Sequence, residues 1–239
     1  MAKSSKAHAD ALSRLDKHTL HSPSDALELA RNLAHAKFDE GIDAAFQLGI
    51  DPRKADQLVR GTVSLPHGTG KEVRILVFAE NSDDIKAAEA AGADIVGGKE
   101  LAEQLGAGGA LEFDLAIATP DMMPHVGKLG PILGPRGLMP NPKSGTVTAD
   151  VGKAVEEFKA GRVEYRNDRY GNVHIPVGRV SFELPNLIEN MVAVADELIR
   201  NRPASAKGRY VRRASVSSTM GPGIRIDPAQ LEDLLKEYA

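Results

Sequence analysis

The hydrophobic pattern changes its period twice along this chain, and this change constrains the fold more than any other feature. Between Phe38 and Leu48 apolar residues recur at every second position, which is typical of a half-buried strand. Between Val73 and Thr119 three short apolar runs are separated by helical segments, which is typical of an α/β layer with a parallel or mixed sheet. From Arg162 onwards the strand pattern returns. The order α+β, α/β, α+β therefore predicts a middle domain inserted into another domain.

The same pattern predicts the boundaries of the two domains. Residues 1–67 and 160–239 are expected to form one discontinuous α+β domain, and residues 68–159 the inserted α/β domain. The segment "PHGTGK" has the composition of a hinge-like linker. In the last part, "RVEYR" and "NVHIPVGRV" flank the turn sequence "NDRYG" and are predicted to form a β-hairpin. Helices are predicted at Pro23–Ala36, Asn186–Arg200 and Pro228–Tyr238.

Charge is divided unevenly between these parts. The chain has a net charge of −3. Residues 71–158 hold 8 cations and 14 carboxylates, a net charge of −6, whereas residues 159–213 hold 11 cations and 6 carboxylates, a net charge of +5. This asymmetry predicts a basic face on one part of the molecule, and a randomly charged surface is the alternative.

The composition excludes several classes of chemistry. With no Cys, the chain has no disulfides, thiol catalysis or Cys-ligated zinc. No apolar run approaches the length of a membrane span, and the N-terminal residues lack the apolar core of a signal peptide. These features predict a cytoplasmic protein without a membrane partner.

One stretch, "GKLGPILGPRGLMPNPKSG" from Gly127 to Gly145, looks unsuited to regular structure. Nine of its 19 residues are Gly or Pro, and its charges are the three cations Lys128, Arg136 and Lys143. We expect neither a helix nor a central strand here. The "GPRG" within it is similar to the GXXG loop of KH domains, but that loop should join two helices and a Pro fits it badly.

The sequence gives only weak evidence for a small-molecule site. No phosphate-binding glycine loop follows "VRILVFA", because acidic residues come next. His18 and His21 are spaced like a metal pair without other ligands nearby, so we expect surface residues and no metal. Asp121 and His125 follow the third apolar run and leave open an α/β enzyme acting on a phosphorylated small molecule. The alternative is an exposed helix pair, because no nucleophile or oxyanion device accompanies them.

The basic block suggests a phosphate-binding surface. Arg162, Arg166 and Arg169 lie around the predicted turn, and the last strand region carries Lys207, Arg209, Arg212 and Arg213. On a regular strand Arg209 and Arg213 share a face and Arg212 points away. Guanidinium groups fit phosphate oxygens, although a charged edge strand that resists aggregation is the alternative. With no Trp and only ten Phe and Tyr, a folded RNA read by its backbone and shape is favoured over a free single strand.

Four segments together carry a resemblance to a known family: "AKFDEGIDAAFQLGIDPRKADQLVRGTVSLPHGTG", "GKLGPILGPRGLMPNPKSGTV", "YRNDRYGNVHIPVG" and "SSTMGPG". Over about residues 22–226 the chain resembles the bacterial ribosomal proteins that form the mobile side stalk of the large subunit, the first in that subunit's numbering. The resemblance implies an α+β domain formed by both chain termini, with an inserted Rossmann-like α/β domain.

The resemblance also implies a function. It indicates a non-enzymatic structural constituent of the large ribosomal subunit, located on the cytoplasmic ribosome, with no cofactor and no homo-oligomer. The implied partners are a folded segment of large-subunit ribosomal RNA, deacylated tRNA leaving the exit site, and the mRNA of the protein's own operon, whose translation it would repress.

Matching motif by motif, the resemblance implies a set of RNA-binding residues: Glu28, Lys37, Phe38, Arg53, Arg60, Arg166, His174, Ser217, Thr219, Met220 and Gly221. In this set Phe38 is expected to make apolar contact, the cations to contact phosphates, and the hydroxyls to donate hydrogen bonds. Gly41 stands where the family usually has a hydroxyl residue. Lys128, Arg136 and Lys143 are expected to make secondary contacts with RNA or tRNA, and the alternative for their segment is a rigid structural cover.

Overall fold

The computed structural model describes residues 5–16, 18–109 and 112–238. The helices are α1 (Lys6–Ser13), α2 (Pro23–Asn32), α3 (Ser82–Ala90), α4 (Lys99–Gly106), α5 (Met123–Val126), α6 (Gly130–Leu133), α7 (Val151–Lys159), α8 (Leu184–Arg200) and α9 (Pro228–Tyr238). The strands are β1 (Gly41–Leu48), β2 (Arg60–Ser64), β3 (Ile75–Phe78), β4 (Ile95–Gly97), β5 (Leu115–Ala118), β6 (Arg162–Arg166), β7 (Asn172–Arg179), β8 (Val211–Ser218) and β9 (Ile224–Ile226). The mixed α/β class predicted from the sequence is confirmed.

The chain divides into two compact units. Unit 1 comprises Met1–Gly70 and Val163–Ala239, and unit 2 comprises Lys71–Arg162. The divisions thus follow residues 70 and 162, where the sequence pattern placed them after residues 67 and 159. Each unit has its own hydrophobic core.

Unit 1 is built on a four-stranded sheet in the order β7-β1-β8-β9, with antiparallel pairing throughout. In β1 the buried side chains are Ile42, Ala44, Phe46 and Leu48, so the predicted period of two is confirmed. Helices α2, α8 and α9 pack against this sheet and share its core. The strands β2 and β6 form a separate two-stranded sheet. The alternate residues of the four-stranded sheet form a second face, whose side chains are exposed or half-buried.

Unit 2 is a three-stranded parallel sheet in the order β4-β3-β5, covered on both faces. All four residues of β3 are buried, as a parallel strand between two helical layers requires. One core layer joins the sheet to α3 and α7, and another joins it to α4, α5 and α6. The α/β pattern of the middle of the chain therefore corresponds to a doubly covered sheet.

The expectation that Gly127–Gly145 holds no helix is wrong. Short helical turns occupy Gly127–Leu129, α6 and Pro142–Ser144. Pro131 lies in the first turn of α6, where an N–H donor has no intrahelical partner and a Pro is tolerated. Leu129 and Leu133 are buried in the core of unit 2. Apolar side chains at a spacing of four therefore form helical turns despite the surrounding Gly and Pro.

The predicted hairpin is also wrong in its pairing. The turn at Asp168–Gly171 forms, and Gly171 supplies its positive φ of 80°. However, β6 pairs with β2 and β7 pairs with β1, and a single bridge between Asn167 and Val173 joins the two flanking segments. The two strands therefore belong to different sheets, although the turn between them forms as predicted. The sequence pattern also missed α1 and β9, and it extended α2 four residues too far.

Asn190 on α8 fixes the linker between the first part of unit 1 and unit 2. Its side chain is completely buried. The amide oxygen accepts a hydrogen bond from the N–H of His67 at 3.1 Å, and the amide nitrogen donates to the carbonyls of Gly68 at 3.0 Å and Val177 at 2.7 Å. One side chain thereby joins α8, β7 and the linker.

We predict that Asn190→Ala lowers the free energy of unfolding by about 2–4 kcal/mol, because it leaves buried backbone groups without partners. Chemical denaturation measures the change. Asn186→Ala, on the same helix, serves as the matched control and should change stability by less than about 1 kcal/mol. Equal losses in the two variants would contradict the role given to Asn190.

Candidate nucleic-acid interface

A buried carboxylate joins the two chain ends at one edge of the four-stranded sheet. The side chain of Glu40 is 1% exposed. One of its oxygens accepts hydrogen bonds from the N–H groups of His35 at 2.9 Å and Ala36 at 2.7 Å, and the other accepts from the N–H of Met220 at 2.9 Å. The segment that follows α2 and the loop that follows β8 are therefore held together by one side chain. We call residues 35–41 and 217–221 the recognition end.

These hydrogen bonds also keep Glu40 ionised. Burial alone would raise the pKa of its carboxyl, because a charge is less stable away from water. The N–H donors of Met220, Ala36 and His35 outweigh that effect and hold the pKa below its ordinary value of 4.5. At neutral pH the recognition end thus contains a buried negative charge that is neutralised by backbone dipoles.

The hydroxyl of Thr219 completes the connection between β1 and β8. It accepts a hydrogen bond from the N–H of Gly41 at 3.0 Å and lies 3.3 Å from the carbonyl of the same residue. The predicted RNA contact of Thr219 must therefore use its remaining lone pair. A Cβ at Gly41 would lie 3.5 Å from this hydroxyl oxygen, which is an ordinary contact. The position of Gly41 is thus open to a side chain.

Gly221 has a steric reason to be glycine. A Cβ at this position would lie 2.4 Å from the hydroxyl oxygen of Ser218, whose side chain is buried. Its N–H also closes the loop by donating to the carbonyl of Ser218. By contrast, a Cβ at Gly223 meets nothing within 4 Å. The loop therefore depends on glycine at the first of these positions.

Two large apolar side chains are exposed at the recognition end. Phe38 is 56% exposed and Met220 is 52% exposed, each on a segment that Glu40 holds. Lys37, directly before Phe38, is also exposed, and His8 of α1 reaches the carbonyl of Met220 at 3.3 Å. Exposed apolar residues next to fixed backbone are typical of a binding surface.

The second face of the sheet extends from this end, and we call it the open face. Its rows follow from the strand register: Pro176, Asp43 and Ser217 lie side by side, then His174, Ala45, Ser215 and Arg225, then Asn172, Gln47 and Arg213. Two predicted residues, His174 and Ser217, thus lie on one surface with the recognition end. The rows contain no Phe, Tyr or Trp, and the imidazole of His174 is their one aromatic ring, so this face offers mainly cations, amides and hydroxyls.

Asp43 is the one carboxylate in these rows. Burial between the flanking strands raises its pKa, and the nearby His174 partly opposes that shift. Its charge is therefore less favourable in the free protein than that of an ordinary surface aspartate. The sequence reasoning did not single out this residue.

Arg53 and Arg166 lie at the opposite end of the sheet. Three loops meet there through contacts between their backbones and one side chain. The N–H of Gly49 donates to the carbonyl of Tyr210, and the N–H of Leu48 donates to the carbonyl of Gly171. The side-chain amide of Gln57 lies 3.4 Å from the carbonyl of Ser205. We call residues 49–58, 166–171 and 201–213 the loop end.

The predicted alternation of the last arginines is wrong. Arg209 precedes β8, and the pairing of β1 with β8 shifts register between Gln47 and Leu48. The extra residue exposes Arg212 and Arg213 together. A bulge breaks the period of two at this point, and single-sequence patterning carries no sign of it.

Two predicted residues are placed less favourably. Arg60 is half-buried, and its Nε donates to Glu164 at 2.7 Å, so its charge is already paired. Glu28 lies on the exposed side of α2, and no hydrogen bond or ion pair between described residues links it to the recognition end.

In unit 2 the cations Lys128, Arg136 and Lys143 are all exposed. Asn141 organises the last of them: its side chain accepts from the N–H of Lys143 at 2.8 Å, and its own N–H donates to Thr146 at 2.8 Å. The "GPRG" stretch follows α6 and leads into a turn, so it does not join two helices as a KH clamp does.

The remaining candidates give no reaction centre. Asp121 is exposed on a short helical turn and His125 lies on α5, and the described residues show no hydrogen bond between them. His18 is exposed, whereas His21 bridges Ile226 through its backbone. Within residues 5–16, 18–109 and 112–238, no cluster of three or more His, Asp or Glu could hold a metal. Over the same residues no helix is long and apolar enough to span a membrane.

The chain is similar to known proteins over its whole length. The sequence profile of the Ribosomal protein L1p/L10e family matches residues 30–222. A protein of Kitasatospora aureofaciens named "Large ribosomal subunit protein uL1" is 54% identical over 236 residues, covering 98% of this chain and 97% of that protein. A protein of Beutenbergia cavernae with the same name is 53% identical over 239 residues and is covered completely, as is this chain.

We predict that Glu40→Gln lowers the free energy of unfolding at pH 7 by about 2 kcal/mol, because an amide group would face N–H donors. Folding lowers the pKa of Glu40 below its value of about 4.5 in the unfolded chain. The carboxylate therefore stabilises the folded protein at pH values above 4.5, and this stabilisation is lost as the pH falls through the lower pKa of the folded state. Denaturation between pH 3 and pH 7 should therefore show a flatter profile in the variant. Glu232→Gln, at an exposed site on α9, should keep the wild-type profile. Parallel profiles for Glu40→Gln and wild type would refute the prediction.

Proposed function

Because the chain belongs to the Ribosomal protein L1p/L10e family, we propose that it is a structural constituent of the large ribosomal subunit in the cytoplasm. In this proposal unit 1 binds a folded segment of large-subunit ribosomal RNA through its recognition end and open face, and so forms the mobile side stalk. The observation that carries the proposal is that one buried carboxylate, Glu40, binds both the segment that carries the exposed Phe38 and the loop that carries the exposed Met220.

The geometry of the recognition end suits a structured RNA. Backbone that is fixed before binding loses little conformational entropy when a partner arrives. The apolar side chains of Phe38 and Met220 can contact a ribose or a base, while Lys37 and the hydroxyl of Ser217 can contact phosphate and 2′-hydroxyl groups. Ser217 lies on the open face beside Asp43, so these contacts continue along the sheet.

The absence of Phe, Tyr and Trp from the rows of the open face favours an RNA helix over a single strand. Single-strand binders stack successive bases on aromatic rings. A wide minor groove, in contrast, presents riboses and phosphates to polar side chains. His174, Ser215 and Arg225 lie in one row and are suited to that chemistry.

No catalytic activity belongs to this proposal. The relatives are named as ribosomal proteins. The Asp121 and His125 pair has neither a nucleophile nor a hydrogen bond that would orient it among the described residues. An enzyme acting on a phosphorylated small molecule is therefore not retained.

Two further partners belong to the proposal. The exposed cations Lys128, Arg136 and Lys143 would contact RNA or the deacylated tRNA that leaves the exit site. The mRNA of the protein's own operon would bind the recognition end in place of ribosomal RNA, and the protein would thereby repress its own translation. The first rests on the attraction of exposed cations for phosphates, and the second on the principle that a surface which fits one RNA backbone fits another of the same shape.

We predict that Phe38→Ala and Met220→Ala each weaken binding to a transcript of the stalk segment of large-subunit rRNA by at least about tenfold, or about 1.4 kcal/mol, because each removes exposed apolar surface that binding would bury. Filter binding at fixed salt measures the change. A transcript of the operon leader should lose affinity in parallel.

Matched controls are available on other parts of unit 1. Tyr238 is 52% exposed and Ile199 is 38% exposed, so Tyr238→Ala and Ile199→Ala remove similar apolar surface on α9 and α8. Both controls should bind as the wild type does. If the recognition-end variants and the controls bound equally well, the proposed interface would be rejected.

We predict that reversing charge at Arg136 and Lys143 (Arg136→Glu, Lys143→Glu) slows release of deacylated tRNA from the exit site severalfold, because it removes the attraction of unit 2 for phosphates. The release of labelled tRNA from ribosomes reconstituted with the variant measures this. Lys86→Glu with Lys153→Glu is the matched control, since these exposed residues lie on α3 and α7, which cover the other face of the unit 2 sheet. Equal rates for the two double variants would favour a purely structural role for the segment.

A further inference from the structure

The loop end is the most strongly charged surface of unit 1. Its segments, residues 49–58, 166–171 and 201–213, contain nine cations and three carboxylates, a net charge of +6. The cations are Arg53, Lys54, Arg166, Arg169, Arg202, Lys207, Arg209, Arg212 and Arg213, and all are exposed. Among the described residues none of the nine takes part in an ion pair. These unpaired cations repel one another, and an anionic partner that binds here would relieve the repulsion.

The carboxylates of the loop end do not neutralise these cations. Asp51 accepts a hydrogen bond from the backbone N–H of Arg53. Asp168 accepts from the N–H groups of Tyr170 at 2.7 Å and Asn172 at 2.8 Å, and from the Asn172 amide at 3.0 Å. Asp51 and Asp168 thus hold loops in shape, and among the described residues no ion pair includes Asp56, the third carboxylate. The cations other than Arg202, whose guanidinium donates to backbone carbonyls, therefore remain available to a partner.

The backbone beneath the cations is fixed. A Cβ at Gly49 would lie 2.3 Å from the carbonyl oxygen of Arg209, so this glycine allows the first and third loops to meet. Arg202 donates to the carbonyls of Ala206 and Gly208 and lies over the ring of Tyr210 at 5.6 Å, which fixes the loop that carries Lys207 and Arg209. The cations therefore project from a preformed surface rather than from free chain.

An aromatic ring stands among them. Tyr170 is 73% exposed, and its N–H is held by Asp168 in a turn closed by Gly171. The neighbouring Arg169 and Arg166 are exposed on the same turn and the end of β6. An exposed ring flanked by guanidinium groups is the arrangement on which an unpaired RNA base stacks while its phosphates are bound.

From these observations we infer that the loop end is a second RNA-contacting surface, which takes the phosphates of an RNA strand and one unpaired base on Tyr170. This inference rests on the proposed function, and it assigns the two ends different tasks. The recognition end, where Glu40 is ionised and Asp39 lies 3.8 Å from Arg179, offers little net charge and selects the RNA. The loop end supplies affinity that depends on salt and not on sequence.

The test compares two double variants that lose the same charge. Lys207→Gln with Arg209→Gln alters the loop end, and Arg200→Gln with Lys236→Gln removes two exposed cations from α8 and α9. Binding to the stalk transcript is titrated between about 50 and 200 mM salt, and thermal melting checks that each protein is folded. Affinity falls as salt rises, so the slope of log affinity against log salt is negative. The magnitude of this slope should decrease by about 1.5 for the loop-end variant and stay unchanged for the control.

Specificity separates the two ends further. For a hairpin of equal length and scrambled sequence, the loop-end variant should lose affinity by the same factor as for the stalk transcript, whereas Met220→Ala should lose affinity mainly for the stalk transcript. Tyr170→Ala should weaken binding severalfold and Tyr170→Phe should not, because stacking needs the ring and not the hydroxyl.

The outcomes distinguish the inference from the function it rests on. If the wild type did not bind the stalk transcript even at low salt, the proposed function itself would fail. If the wild type bound and both double variants gave the same slope, only the loop-end inference would be overturned. A loop-end variant that bound RNA normally but no longer sedimented with large subunits would also overturn it, since that surface would then contact a protein.

Discussion

The recognition end depends on one buried charge. A carboxylate without water is stable only if donors surround it, and Glu40 accepts hydrogen bonds from two segments that are about 180 residues apart in the chain. Separating those segments would leave both the charge and the N–H groups without partners. Because separation would leave a buried charge without hydrogen bonds, the free-energy cost of burying Glu40 holds the backbone that carries Phe38 and Met220 in one geometry. Burial opposes ionisation and hydrogen bonds favour it, and the net lowering of the pKa indicates that the hydrogen bonds prevail.

The four-stranded sheet then sets the distance between two unlike ends. β1 runs from Gly41 at the recognition end to Leu48 at the loop end, and seven steps along a strand span about 23 Å. Apolar contact and hydroxyl groups lie at one end, unpaired cations at the other, and polar rows between them. The sheet holds these groups at fixed distances from one another. A partner that contacts all of them must therefore match both the shape of this surface and the spacing of its charges. Selection by fit and attraction by charge are thus carried by different residues of one surface.

Sequence patterning predicted the elements whose burial has a simple period. β1 and α8 follow from alternation and from helical spacing, and β3 follows from an unbroken apolar run. Sequence patterning failed where the pairing or exposure of a residue is set by contacts with residues that are distant in the sequence. The bulge opposite Leu48 exposes Arg212, and the separation of β6 from β7 reflects their pairing with β2 and β1. Pro131 looked like a helix breaker because its place in a first turn depends on Leu129 and Leu133 finding a core. Glu40 and Asn190 gave no signal, since a buried polar residue is recognised only when its partners are known.

The acidity of unit 2 follows from the same division of tasks. Residues 71–158 carry a net charge of −6, which repels a phosphate backbone over distances up to a Debye length of about 8–10 Å. If unit 1 binds RNA as proposed, a unit so charged does not compete with it for that RNA. The exposed cations Lys128, Arg136 and Lys143 all lie on one segment of this acidic unit, and Asn141 fixes the turn that carries the last of them. In the proposed function, attraction restricted to one segment of an acidic unit favours a brief contact over a permanent one, which suits a tRNA that has to leave.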